Sequence, residues 1–236
     1  MSEGEWRYVT RTRTADFDTR DLLKPSGVLN LFQDAACAHA EKLGVGFKAM
    51  LENNLYWVLL SVRYEVRAFP EKRQEVVVET WPSHTAGPLY GREYEIRDAA
   101  GRLLIIGESS WATIRADSRK TALVRHIYGE DASFPDRKVF ADKPARLPVP
   151  EIESTAQTVC RYTELDGNEH INNAVYPDYL WNALKPEQSP RRFMIEYHKE
   201  LREGDTVDLA FDIEENGVLT EGRRDGERAF AVKMEW

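Results

Sequence analysis

The chain has 236 residues, room for one large domain or two small ones, and its 42% hydrophobic and 31% charged content supports a packed core and argues against overall disorder. Asp and Glu number 40 against 32 Lys and Arg, and the resulting charge of −8 argues against generic nucleic-acid binding, which relies on excess positive charge. Cys37 and Cys160 are too few for a disulfide framework or a four-cysteine zinc site, residues 1–6 lack the basic and apolar regions of a signal peptide, and no apolar run approaches the ~20 residues of a membrane span, so a cytoplasmic setting without stable membrane association is expected.

Residues 6–16 are rich in β-branched and aromatic side chains and predict a strand. After a connection from Phe17 to Pro25, Ser26 can cap a helix whose stripe is Val28, Leu31, Phe32, Ala35, Ala36, His39 and Leu43, closed by Gly44. Leu29, Cys37 and Ala40 lie off that stripe, so the helix is apolar on more than one face and needs a wrapping of other structure. His39 reads as a core residue, and Cys37 and Cys160 as small buried hydrophobes. A short helical piece over 47–53 precedes strands at 56–69, 74–81, 89–98 and 102–115, with a hairpin turn at Asp98-Ala-Ala-Gly101. Residues 117–151 collect Pro135, Pro144, Pro148 and Pro150 with little periodicity and read as a linker, with one helical turn near Leu123 to Tyr128.

The order then repeats. A strand over 154–162 leads to a polar stretch at 166–170, a helix ending near Leu184, and strands at 191–201, 206–214, 218–224 and 227–236, separated by Gly204-Asp205, Asn216-Gly217 and Asp225-Gly226. Phe17-Asp18 stands before the first helix as Leu165-Asp166 stands before the second, and Arg63-Tyr64 is set against Glu196-Tyr197. The expected fold class is α+β: two long antiparallel sheets, each wrapped around a central helix, paired edge to edge so that exposed edges are removed. The expected divisions are 1–116, a linker at 117–151, and 152–236.

The polar stretch runs from Thr163 to Asn173 and places a carboxylate, an amide and an imidazole at Asp166, Asn168 and His170. In an extended segment these alternate residues share one face. Asn172 and Asn173 can cap the helix that begins around Ala174, so three polar groups would converge on a helix N-terminus, a setting suited to acid–base chemistry on a carbonyl compound. The same residue types also populate ordinary turns. No H-x-x-x-H or similar spacing occurs, and neither a metal nor a cofactor is expected.

Leu165-Asp166-Gly167-Asn168-Glu169-His170-Ile171-Asn172-Asn173, with Tyr176 and Trp181 following, and Ile195-Glu196-Tyr197-His198-Lys199-Glu200-Leu201 further on, resemble the paired motifs of the acyl-acyl carrier protein thioesterases. The resemblance spans nearly the whole chain and implies two tandem hotdog domains. It implies catalytic roles for Asp166, Asn168, His170 and Glu200 in hydrolysing a fatty acyl thioester, by direct attack of Asp166 or by activation of water. Leu201 stands where plant members often carry a cysteine, so a cysteine nucleophile is not expected there. The first half does not repeat the site: Thr19 to Leu22 replace Gly167 to His170, and Arg67 lies near the place of Glu200.

Leu29, Phe32, Met50, Leu55 and Trp57 are candidate acyl-chain contacts or ordinary core. The implied partner is an acyl carrier protein bearing a fatty acyl phosphopantetheine. An acidic carrier would meet Arg191, Arg192, Lys199 and Arg202, with Arg223, Arg224 and Arg228 as further candidates. A homodimer is left open. An acyl-CoA thioesterase of the same fold and a non-catalytic acyl-binding protein are the alternatives, and the motif disfavours a hotdog dehydratase.

Overall fold

The computed structural model describes residues 4–84, 89–124, 126–129, 132–149 and 154–236. Each β-prone run becomes a strand: β1 (Trp6–Arg11), β2 (Leu55–Val66), β3 (Glu75–His84), β4 (Leu89–Asp98), β5 (Leu103–Arg115), β6 (Ser154–Val159), β7 (Arg192–Tyr197), β8 (Thr206–Glu214), β9 (Gly217–Arg224) and β10 (Glu227–Glu235). The helices are α1 (Pro25–Lys42), α2 (Phe47–Glu52) and α3 (Tyr176–Leu184). All ten strands form a single sheet in the order β1-β3-β4-β5-β2-β7-β10-β9-β8-β6. Both halves use the same strand order, and β2 and β7 join them antiparallel, from Ser61 opposite Glu196 to Glu65 opposite Arg192. Arg63 faces Met194 at the centre of that pairing, where a pseudo-twofold axis passes.

The pairing buries the inner edges only. β1 and β6 remain the sheet's outer edges, with Val9 and Val159 exposed on them, so the expected removal of edges is half realised. The two halves are also offset from the expected correspondence. The N–H groups of Arg67 and Ala68 both donate to the Leu104 carbonyl, and those of His198 and Lys199 both donate to the Ala229 carbonyl. Val66 therefore matches Tyr197, and Phe69 matches Glu200. Arg63-Tyr64 and Arg67 each sit two positions away from the roles assigned to them by sequence.

α1 packs against the inner face of the first half. Pro25 occupies its first turn, where a missing N–H costs nothing. Ser26 does not cap the helix; its hydroxyl donates to Asp178 Oδ1 of α3 at 2.6 Å. Gly44, at φ +71, accepts the left-handed conformation that ends α1. Val28, Leu29, Leu31, Phe32, Ala35, Ala36 and His39 are buried, whereas Cys37, off the stripe, is exposed rather than buried. Phe32 stacks on Tyr94 with ring centroids 4.2 Å apart, above Gly107, where any Cβ would collide with the Phe32 ring.

The described part of the Pro-rich segment straps the opposite face of the sheet. Trp81 donates its indole N–H to the Arg137 carbonyl at 3.0 Å, and the Arg137 guanidinium lies 3.6 Å from the Trp81 ring centroid and 2.7 Å from Glu95. Val139 N–H reaches Glu93 at 3.1 Å, Arg63 binds Asp142 at 2.9 Å, and Leu147 N–H reaches Glu196 at 3.0 Å. Outward-facing carboxylates on the strands are thus buried and hydrogen-bonded beneath the strap. Among the described residues near Leu123 to Tyr128 there is no helix: residues 126–128 make a turn, and Arg125, like Pro150 to Glu153, lies outside the described residues.

Candidate active site

The Asp166–His170 stretch is a tight turn, not an extended ladder. Asp166 N–H donates to the His170 carbonyl at 2.8 Å, Leu165 and Ile171 form an isolated bridge, and Glu169 takes a left-handed φ of 61 to close the loop. Asp166 Oδ1 accepts the Asn168 N–H at 2.8 Å, the side-chain turn that short acidic residues favour. The turn convenes the three groups by curvature in place of alternation. Asn172 Oδ1 accepts the Ala174 N–H at 2.9 Å and so caps a preceding turn; α3 itself starts at Tyr176 with Val175 at the cap position and no side-chain cap.

Glu200 arrives by a different route than a strand running to Leu201 would provide. β7 stops at Tyr197 because the chain turns onto the Ala229 carbonyl. The connection then returns beside the turn, where Ile171 N–H donates to the Leu201 carbonyl at 2.8 Å and Leu201 N–H to the Tyr176 hydroxyl at 3.1 Å. This clamp sets Glu200 Oε2 3.0 Å from His170 Nε2. The Arg202 guanidinium lies 3.2 Å from the same Nε2, so that ring nitrogen sits between a carboxylate and a cation.

The opposite wall comes from the first half. β2 has 12 residues and β7 has 6, so the start of β2 runs on past its partner and leaves a gap in the sheet. Trp57, Val58, Leu59, Leu60 and Ile114 meet Asp166, Asn168, His170 and Glu200 around one cleft of about 640 Å³. Arg119, on the turn after β5, crosses to pair with Glu200 Oε2. Sequence reasoning missed Arg119, since nothing local marks it. Burial pushes the Tyr176 hydroxyl, beside the same clamp, above the ordinary phenol range.

Residues 5–129 match the family model for the acyl-ACP thioesterase N-terminal domain, and residues 150–236 match that for the C-terminal domain. The chain belongs to the acyl-ACP thioesterase family. Among curated relatives, it is 25% identical over 203 residues to oleoyl-acyl carrier protein thioesterase 2 of Arabidopsis thaliana, covering 77% of this chain and 55% of that one. It is 26% identical over 191 residues to dodecanoyl-[acyl-carrier-protein] hydrolase of Cinnamomum camphora, covering 73% and 50%. The chain thus spans about half the length of the curated relatives it matches. The crystal structure of an acyl-ACP thioesterase from Bacteroides thetaiotaomicron superposes with a TM-score of 0.88 at 24% identity, over 100% of this chain and 99% of that one. The 12:0-ACP thioesterase from Umbellularia californica gives 0.85 at 17%, over 100% and 98%. These structures establish the tandem hotdog fold for the chain.

Within this family fold, the expected acyl-chain contacts separate. Leu29 and Phe32, on the buried side of α1, are in the main core, and Met50 and Leu55 are in a satellite core with Val45 and Ala122. Only Trp57 of the five reaches the cleft. The four expected carrier contacts also split. Lys199 and Arg202 line the cleft, where Lys199 pairs with Glu227; Arg191 and Arg192 lie at the other end of β7, where Arg192 pairs with Glu65 and Glu235. The basic residues at the cleft are Arg119, Lys199, Arg202 and Arg224, so a single patch including Arg191 and Arg192 does not form.

Proposed function

We propose that the chain hydrolyses fatty acyl thioesters of acyl carrier protein, adding water across the thioester to release a free fatty acid and the carrier thiol. The observation that carries this reading is the His170–Glu200 contact of 3.0 Å at a cleft that also holds Asp166 and Asn168 and has an apolar wall from the other half. Glu200 and Arg202 hold the imidazole at Nε2, and the ring serves to take and return a proton. Asp166 has one oxygen engaged by Asn168 N–H, and its other oxygen has no partner among the described residues; it serves as the nucleophile or as the base for water. The Asn168 amide orients the carbonyl. Trp57 and its neighbours on β2 receive the start of the acyl chain, and the basic residues at the cleft receive the phosphate of the carrier's arm.

The working division is a first hotdog unit at 1–116 that shapes the acyl pocket, a connecting strap at 117–151, and a second unit at 152–236 that carries the catalytic residues. Free thiols at both cysteines accord with a cytoplasmic enzyme. The test is incubation with a mixture of acyl-carrier substrates and mass-spectrometric identification of released acids, with His170→Ala and Asp166→Ala alongside. Release by the parent and its loss in both variants is expected; no release from folded parent protein refutes the assignment. The same acyl chain presented on CoA, if cut faster than on the carrier, would reassign the carrier.

A further inference from the structure

The pseudo-twofold axis gives the cleft a counterpart at the other end of β2 and β7. The turn at 165–171 recurs at 17–23. Phe17 and Leu23 form the same isolated bridge, Asp18 N–H donates to the Leu22 carbonyl at 2.9 Å, and Asp21 takes a φ of 65 as Glu169 takes 61. Asp18 Oδ1 accepts the Arg20 N–H at 2.8 Å, as Asp166 accepts that of Asn168. Leu22 therefore stands in the place of His170, and Phe69 in the place of Glu200. The acid–base groups are replaced by hydrocarbon, but the recess remains. It is a hollow of about 290 Å³, lined by Phe17, Leu22, Leu23, Phe69 and Trp236 on its apolar side and by Arg191.

Arg191 is exposed, with its guanidinium 5.4 Å from the Phe69 ring centroid. Among the described residues no carboxylate lies within ion-pair distance of it, whereas Asp21, the acid lining the same hollow, is engaged by Lys72. An apolar recess with one uncompensated guanidinium is complementary to a monocarboxylate with a hydrocarbon body. The volume is less than half that of the 640 Å³ cleft and near the roughly 300 Å³ lower bound of small-molecule pockets, which favours a medium chain over a long one.

We propose that this hollow is a non-catalytic binding site for a medium-chain fatty carboxylate, with its head on Arg191 and its chain against Leu22, Phe69 and Trp236. The site is separate from the hydrolytic cleft, and its occupancy does not depend on hydrolysis.

Two tryptophans report the two sites independently: Trp236 lines the hollow and Trp57 lines the cleft. In ¹⁵N-labelled full chain, the indole N–H resonances are assigned with Trp236→Phe and Trp57→Phe, and sodium octanoate is titrated against both. The Trp236 resonance shifts saturably, Arg191→Gln weakens that response about tenfold or more while leaving the Trp57 response unchanged, and octan-1-ol does not reproduce it at equal concentration. A Trp236 resonance that does not saturate overturns the proposal. So does an equal response in Arg191→Gln, or an equal affinity for octan-1-ol.

Discussion

Replacing His39 by Gln should flatten the acid limb of the stability curve. His39 is 1% exposed on the inner face of α1, and its Nδ1 lies 3.1 Å from the Arg92 guanidinium, itself only 6% exposed. The ring accepts from a cation and is held neutral. Burial first, then Arg92 and Lys42, bring its pKa from 6.5 to about 3. The folded-state value is depressed, so the unfolded chain takes up a proton before the folded one does. The associated stability is complete above pH 6.5 and is lost as pH falls toward 3. At about pH 4.5, two units below the ordinary value, the loss is about 2.7 kcal/mol at 1.36 kcal/mol per unit. Gln keeps an acceptor for Arg92 without a titrating proton. Urea unfolding of both proteins at about pH 7.5 and 4.5 should show the parent losing roughly 2 to 3 kcal/mol more than the variant. Parallel losses in the two proteins would refute the claim that His39 is held neutral by its surroundings.

Two further outcomes follow from the cleft and one from the core. Arg119→Ala releases one of the two groups holding Glu200 Oε2, and kcat should fall about 3- to 30-fold with KM for a small thioester little changed; an unaltered kcat would show that the Arg119 pairing does not position Glu200. Lys199→Glu should raise KM for carrier-bound substrate and leave a small thioester unaffected, whereas Arg192→Glu, at the far end of β7, should change neither; the reverse pattern would restore the patch expected from sequence. Gly107→Val drives a side chain into the Phe32 ring and should destabilise the fold by about 1 to 3 kcal/mol in urea unfolding; a neutral effect would mean that the Phe32–Tyr94 stack has room to move.

Much of this organisation was legible because it is local. β-prone composition and turn residues mark the strands, and β4 and β8 begin and end where residue pattern alone places them. The apolar stripe from Val28 to His39 identified the helix that each hotdog sheet needs. Sequence picks out Asp166, Asn168 and His170 as a cluster, but their alternate spacing predicts strand geometry, whereas Glu169 turns the backbone through a left-handed conformation. That turn and the strand share the same residue spacing, so periodicity alone does not separate them. Glu200 was found through motif resemblance and not through any local signal, and the strand expected to carry it ends early on a bifurcated carbonyl at Ala229. Arg119 was invisible because its role depends on a contact 81 positions along the chain. The strap was equally hidden: a Pro-rich polar stretch looks like a tether until Trp81, Glu93 and Glu196 supply partners for its backbone. Sequence leaves Leu29 and Phe32 open between core and tunnel, since the two kinds of side chain have the same composition, and the structure places both in the main core.

A double-mutant cycle over His170 and Glu200, read as kcat/KM on one acyl-carrier thioester, tests the central claim most directly. If Glu200 acts by orienting the imidazole, His170→Ala and His170→Ala with Glu200→Ala should be equally slow, with most of the Glu200 effect gone once the ring is absent. Two losses that multiply independently would contradict the account, because residues 3.0 Å apart that serve one proton cannot contribute separately.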